Sequence, residues 1–116
     1  MASISRPFES HSPTALSAGN LSLDEETYLV SVDREAVDLT YQEFELLRLL
    51  ILQAGHVLAY QAIAEHLWPA GEFDRFRRLR VAVCRLRAKL ASSHPYTIVM
   101  VRRRGYGLLP RQTRSD

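Results

Sequence analysis

The chain has 116 residues, of which 47% are hydrophobic and 24% charged, a composition that suits one globular domain and argues against wholesale disorder. The formal net charge is only +2, but it is unevenly distributed. Residues 1–68 carry three arginines against ten acids, a net −7, whereas residues 69–116 carry twelve Lys or Arg against three acids, a net +9. This polarity favours a polyanionic partner for the C-terminal part, with nucleic acid ahead of an anionic membrane surface.

The same composition excludes several classes of protein. A single cysteine cannot form an internal disulfide, and the histidines are too scattered for a metal site, so we expect no metal and no cofactor. No nucleophile, base and acid combine into a catalytic constellation, so we predict that the chain is not an enzyme. Without an apolar run of about 18 residues or the order of a signal peptide, we expect a cytoplasmic protein with no membrane contact.

Composition and periodicity divide the N-terminal part into a tail and a small sheet. Residues 1–19 are rich in Ser and Pro without an apolar period, which predicts a disordered linker or tail. Residues 21–23, 28–32 and 37–39 are typical of short strands, with a polar turn at 33–35, and predict an antiparallel meander.

Two helices are expected next. The sequence TYQE at 40–43 matches a capping box, in which the Thr hydroxyl and the Glu carboxylate each accept a backbone N–H at the helix start. This first helix has an apolar face and ends near Ala54-Gly55. Residues 57–58 predict a brief extended segment, and residues 61–68 a short second helix stopped by Pro69. Ala59 offers this second helix no side-chain oxygen as a cap.

Residues 75–90 predict a third helix with one apolar stripe, formed by Leu79, Val83, Leu86 and Leu90. Every charged side chain between 77 and 89 is positive, and no acid within the helix is available to pair with them. Such a helix can enter the DNA major groove, where arginines bind guanine or phosphate and Val81 and Ala82 can meet a thymine methyl. The alternative for the arginine face is that it is only solvated and binds nothing. For Cys84, the choice is between a small group that faces the groove and a redox-sensitive thiol.

The last elements are two β-rich runs, 96–102 and 106–109, which predict a hairpin with a cationic tip. Guanidinium groups at 102–104 suit the negative potential of a narrow minor groove, although a charged tip also discourages strand-edge association. The predicted fold is therefore α+β, with an N-terminal antiparallel sheet, three helices and a C-terminal β-hairpin. We expect the folded domain to span 20–110 and a flexible tail to span 111–116.

Four motifs in this order resemble the winged helix-turn-helix effector domain of OmpR/PhoB-type response regulators. LTYQEFELL at 39–47 is similar to LTxxEFxLL, LW at 67–68 to VW, RLRAKL at 85–90 to RLRxKL, and VR at 101–102 with GY at 105–106 to VRGxGY. The resemblance covers 21–109 and implies a third helix in the major groove, a hairpin wing in the adjacent minor groove and a loop at 69–74 that contacts RNA polymerase. It also implies that Arg85 contacts bases or phosphates and that Arg102 is the wing arginine.

Four positions depart from the family pattern. Arg80 stands where an acid is common, Ala82 where His is frequent, Cys84 where Arg is frequent, and Arg103 where the wing has its first glycine. Losing the acid makes the helix less able to accept a hydrogen bond from cytosine N4. Arg103 must also adopt the backbone angles that glycine normally provides.

Together these observations predict a two-component transcriptional regulator that binds double-stranded DNA sequence-specifically. The alternative is an interaction module that binds protein instead of DNA. A homodimer on tandem half-sites is left open. The predicted DNA-binding residues are Arg77, Arg78, Arg80, Val81, Cys84, Arg85, Arg102, Arg103 and Arg104.

Overall fold

A computed structural model describes residues 15–111 of the chain. Four strands come first: β1 (Ala15–Ala18), β2 (Leu21–Asp24), β3 (Leu29–Val32) and β4 (Glu35–Val37). They are followed by α1 (Tyr41–Leu52), β5 (Val57–Ala59), α2 (Tyr60–Leu67), α3 (Arg75–Lys89), β6 (Tyr96–Val101) and β7 (Gly105–Pro110). The predicted α+β order of sheet, three helices and hairpin is confirmed.

The N-terminal sheet has one more strand than the sequence predicted. Residues 15–18 were assigned to the tail, but they form β1 and pair antiparallel with β2. Ala18 is buried against the helices, so burial and pairing stabilise a strand whose short side chains give little β-propensity of their own. The domain therefore begins before residue 20. The rest of the predicted N-terminal tail, 1–14, and residues 112–116 of the predicted C-terminal tail lie outside the described residues.

The sheet order is β1-β2-β3-β4, and all three pairings are antiparallel. A two-residue turn joins β3 to β4, with Asp33 and Arg34 at φ of 56° and 70°. This is the geometry of the hairpin turn whose twist matches the flanking strands, and it requires positive φ at both positions. The polar turn predicted here is confirmed.

The capping box of α1 forms as predicted. The amide of Glu43 donates to Oγ1 of Thr40 at 3.2 Å, and the amide of Thr40 donates to Oε1 of Glu43 at 3.0 Å. Behind this cap, one face of α1 is buried in the core and comprises Phe44, Leu46, Leu47, Leu50 and Ile51. The cap therefore sets where the core-forming helix begins.

A second sheet of order β5-β7-β6 closes the other end of the domain. The brief extended segment predicted at 57–58 is its edge strand β5, which pairs with β7. Helix α2 starts without a side-chain cap at Ala59, as expected. Helix α3 packs against α1, α2 and β6, and this packing leaves its opposite face exposed.

Candidate nucleic-acid interface

The buried stripe of α3 is the one that the sequence predicted. Leu79, Val83, Leu86 and Leu90 are all at most 3% exposed. Ala82 joins them at 9% exposure, so the expectation that it meets a thymine methyl is wrong, because its methyl group turns toward the core. Val81 on the next position is 40% exposed and remains available.

The outward face of α3 carries the predicted DNA-binding residues of the helix. All of them are exposed: Arg77, Arg78, Arg80, Val81, Cys84 and Arg85. Because α3 is a regular helix anchored along its whole opposite side, its backbone holds these side chains in fixed relative positions. The helix thus presents five arginine or apolar contact groups and one thiol on a single surface.

Two of these arginines have acidic partners that lie just before the helix. Nη1 of Arg78 is 3.0 Å from a carboxylate oxygen of Glu72, and its guanidinium lies 5.8 Å from the ring centroid of Trp68. Arg77 is 3.9 Å from the carboxylate of Asp74. Both acids precede α3, so the sequence of the helix itself does not reveal either pair. Within residues 15–111, Arg80 and Arg85 form no ion pair, so these two are the freest cations of the helix face.

An ion pair between a buried carboxylate and an exposed lysine connects two of the sequence motifs. Nζ of Lys89, at the end of α3, is 2.6 Å from Oε1 of Glu43 at the start of α1. Burial raises the pKa of Glu43, but hydrogen bonds from Lys89 and from the Thr40 amide outweigh it and hold the pKa below its ordinary value. This carboxylate therefore caps α1 and fixes the C-terminal end of α3 at once. The capping box predicts only the first of these two roles.

The hairpin tip presents the other predicted residues. Arg102, Arg103 and Arg104 are exposed between β6 and β7, and the Arg104 amide donates to the Val101 carbonyl at 2.8 Å to close the turn. Arg103 has φ of 65°. The expectation that it adopts a glycine-like conformation is confirmed, and a side chain there carries a cost of about 1–2 kcal/mol.

Strand β5 fixes the hairpin to the helices, a link that sequence reasoning missed. Leu58 pairs with Tyr106 and Ala59 with Gly105. A Cβ on Gly105 would overlap the Leu58 carbonyl, so only glycine permits this close approach. The paired glycine and tyrosine of the GY motif were the available signal, because a glycine inside a strand often marks another backbone nearby.

Tyr60 adds a second connection at the tip. Its amide donates to the Arg104 carbonyl at 3.2 Å and its hydroxyl to the Val101 carbonyl at 3.3 Å. Its ring meets Tyr106 edge to face, with centroids 5.4 Å apart. Burial raises the pKa of Tyr106, charge repulsion from the ionisable Tyr60 hydroxyl adds to this, and the positive charge of Arg80 opposes it. The first turn of α2 thus holds the tip, and Tyr106 lies between the tip and α3.

Neither a metal cluster nor a membrane span is found in the part of the chain that the structure describes. Residues 15–111 contain no group of three His, Cys, Asp or Glu side chains placed to hold a metal ion. Over the same range, every helix is too short or too polar to cross a bilayer.

Two helices joined through a short strand, a third helix with an exposed cationic face and a β-hairpin beside it define a winged helix-turn-helix domain. The chain belongs to the family described as "Transcriptional regulatory protein, C terminal", whose model matches residues 33–108. This is the OmpR/PhoB-type domain that the four motifs predicted, and it is not a family of enzymes.

Individual relatives agree with this assignment. The sensory transduction protein RegX3 of Mycolicibacterium smegmatis is 36% identical over 95 residues, which cover 80% of this chain and 42% of RegX3. The RstA DNA-binding domain of Klebsiella pneumoniae, solved in complex with the RstA box, is 32% identical with a TM-score of 0.73 and is matched over 83% of this chain and 97% of that one. The CpxR DNA-binding domain of Escherichia coli is 28% identical, with a TM-score of 0.70 over 87% and 100%. The chain spans less than half the length of curated relatives such as RegX3.

Proposed function

We propose that this domain binds double-stranded DNA sequence-specifically within a transcriptional regulator, with α3 in the major groove and the tip at 102–104 in the adjacent minor groove. The observation that carries the proposal is that two exposed arginine groups, on α3 and on the hairpin, are held to one rigid framework by Tyr60 and β5. A helix and a hairpin in fixed relation can fit two neighbouring grooves at once. RstA, a relative of this fold, is solved with its RstA box.

The face of α3 divides into base-reading and phosphate-binding positions. Arg85 has no ion pair within the described chain, so it is free to bind guanine O6 and N7. Val81 supplies an apolar contact for a thymine methyl, and Cys84 is small enough to allow close approach. Arg77 and Arg78, with their acidic neighbours, and Arg80, which lines the gap toward the hairpin, are assigned to phosphates, which fix position without reading sequence.

The hairpin tip contributes affinity more than specificity. Arg102, Arg103 and Arg104 face solvent together, and a narrow minor groove attracts such guanidinium groups. Because Arg80 replaces the acid that is common in the family, we expect an operator in which that position no longer favours cytosine. We propose a cytoplasmic location for the domain, as this DNA-binding role requires in a bacterium, and we assign it no catalytic step.

Selection of bound duplexes from a random library is the decisive experiment. Enrichment of one sequence supports specific binding and also reports the operator. Two enriched half-sites at a fixed spacing support a homodimer on tandem sites, whereas a single half-site contradicts it. No enrichment, together with salt-insensitive binding or none, overturns the proposal in favour of the protein-interaction module.

Charge-matched variants test the site. Arg85→Ala and Arg102→Ala should each weaken binding to the selected duplex by about 1–3 kcal/mol, with Arg85→Ala also relaxing the preference at one base pair. Arg34→Ala is the control, because it removes the same charge from the β3–β4 turn, away from α3 and the tip. Equal affinities for wild type and both interface variants would contradict the site assignment.

We also propose that the loop at 69–74 contacts RNA polymerase. Phe73 in this loop is 83% exposed, so it offers a partner a large apolar side chain to cover. Phe73→Ser should leave affinity for the duplex unchanged and reduce binding of purified polymerase to the DNA-bound domain. Unchanged polymerase binding would contradict this assignment alone.

A further inference from the structure

A groove of about 520 Å³ lies between α3 and the hairpin. Leu79 and Tyr106 form its buried floor, Phe76 and Met100 its apolar walls, and Arg77 and Arg80 its cationic rim. No acid lines it. Phe76 is 56% exposed and Met100 is 50% exposed, so two large apolar side chains face solvent in the middle of the most basic surface of the domain.

The position of Met100 follows from the strand. Ile98, two residues earlier on β6, is buried in the core, and residues two apart share one face of a strand. Met100 therefore continues the inward face of the hairpin beyond the end of the core, opposite Tyr106. Phe76 lies one helical turn before Arg80 on α3, so both apolar groups border the same gap.

The geometry of DNA determines what passes through this gap. The major and minor grooves of a duplex are separated by one sugar–phosphate strand. If α3 occupies the major groove and the tip at 102–104 the adjacent minor groove, that strand must cross between α3 and the hairpin. The groove is continuous with both parts of the proposed interface, because Arg80 and Met100 line it and the tip follows Met100 by two residues.

The chemistry of the groove matches this occupant. A DNA strand alternates anionic phosphates with deoxyribose rings whose C–H groups are apolar. Arg77 and Arg80 on the rim can bind the phosphates, while Phe76 and Met100 can cover the sugars and remove apolar surface from water.

We propose that this groove seats one sugar–phosphate strand, with Phe76 and Met100 packing on deoxyribose and Arg77 and Arg80 binding the flanking phosphates; this rests on the DNA-binding function proposed above. Phe76 and Met100 are then affinity-determining residues that read no sequence. Their contribution to affinity is apolar contact and not charge.

Substitutions of different chemistry test the apolar contact. Phe76→Ala and Met100→Ala should each weaken binding of the fluorescein-labelled selected duplex roughly three- to tenfold, and should weaken a scrambled duplex of equal length by the same factor. Met100→Leu should retain affinity and Met100→Gln, of similar length but polar, should lose it. Leu29→Ala is the matched control, since Leu29 is 65% exposed on β3. Thermal melting checks that each variant is folded.

The salt dependence separates apolar contact from charge. The slope of log affinity against log salt reports the phosphates neutralised, with each contributing about 0.9. Phe76→Ala and Met100→Ala should leave this slope unchanged, whereas Arg80→Gln should reduce its magnitude by about 0.9. Wild-type affinity in both alanine variants, or a loss confined to the selected duplex, would overturn the groove assignment while leaving DNA binding intact. If wild type binds neither duplex, the proposed function itself fails.

Discussion

The acidic and basic parts of the chain use their charges differently. In the part before residue 69, carboxylates stabilise the fold from within: Glu43 caps α1 and binds Lys89, and Glu25 lies 2.7 Å from Arg48. After residue 69, the arginines of the α3 face and the hairpin tip are exposed, and several have no ion pair among the described residues. A small net charge therefore conceals two populations, one serving stability and the other available to an external polyanion.

Among the variants that test this contrast, Glu43→Ala should have the largest effect. It removes the cap partner of Thr40 and leaves Lys89 without its carboxylate, so we expect the free energy of unfolding to fall by about 2–3 kcal/mol. Chemical denaturation measures the loss. The folded fraction should still bind the selected duplex with nearly wild-type affinity, because the buried Glu43 carboxylate pairs with Lys89 and not with an arginine assigned to DNA. An unchanged stability would contradict the structural role given to this carboxylate.

The pH dependence of the same variant sharpens the prediction. The pKa of Glu43 is lowered in the fold, so its stabilisation is present above the ordinary carboxyl pKa and is lost as pH falls through the lowered value. The difference in unfolding free energy between wild type and Glu43→Ala should therefore be constant near neutral pH and shrink below about pH 4. If this difference grows on acidification instead, the pKa of Glu43 is raised in the fold and the prediction is wrong.

A smaller effect is expected from Glu72→Gln. This change frees Arg78 from its exposed ion pair and removes one negative charge beside the arginine face. Because exposed pairs contribute about 0–1 kcal/mol, stability should hardly change. Affinity for duplex DNA should rise several-fold at low salt, with the gain fading as salt screens the charge. Fluorescence anisotropy at two salt concentrations measures this, and Glu65→Gln on α2 serves as the charge-matched control.

The smallest effect should come from Arg103→Gly. Glycine adopts the positive φ of this position at no steric cost, so we expect the domain to gain about 0.5–1 kcal/mol of stability. The same change removes one wing cation, which should reduce the salt slope of DNA binding by about 0.9. Loss of stability would indicate that the Arg103 side chain makes contacts that outweigh its backbone strain.

Local signals in the sequence predicted much of this fold. The capping box, the apolar stripe of α3 and the hairpin each depend on residues within one turn or a few positions, where periodicity is informative. The tail prediction failed at β1 because Ala15–Ala18 is short and is stabilised by pairing with β2. Ala82 was misplaced because it lies at the edge of the buried stripe, where one helical position decides exposure.

The missed parts of the site are long-range. Glu43 and Lys89 are 46 positions apart, and Tyr60 meets Val101 across 41, so no local pattern connects either pair. The acidic partners of Arg77 and Arg78 precede α3: Asp74 is its N-cap residue, and Glu72 lies in the loop before it. The assignment of individual arginines to bases or phosphates stays a prediction.

The attachment of the hairpin to β5 has a consequence for recognition. Because β5 is the connection between α1 and α2, the tip cannot shift without disturbing the entry to both helices. The backbone ordering that a loose arm would undergo on the duplex is already complete in the free domain, so association loses less conformational entropy. The distance between α3 and the tip is therefore fixed. We expect the affinity for a duplex to depend on the width of its minor groove as well as on its base sequence.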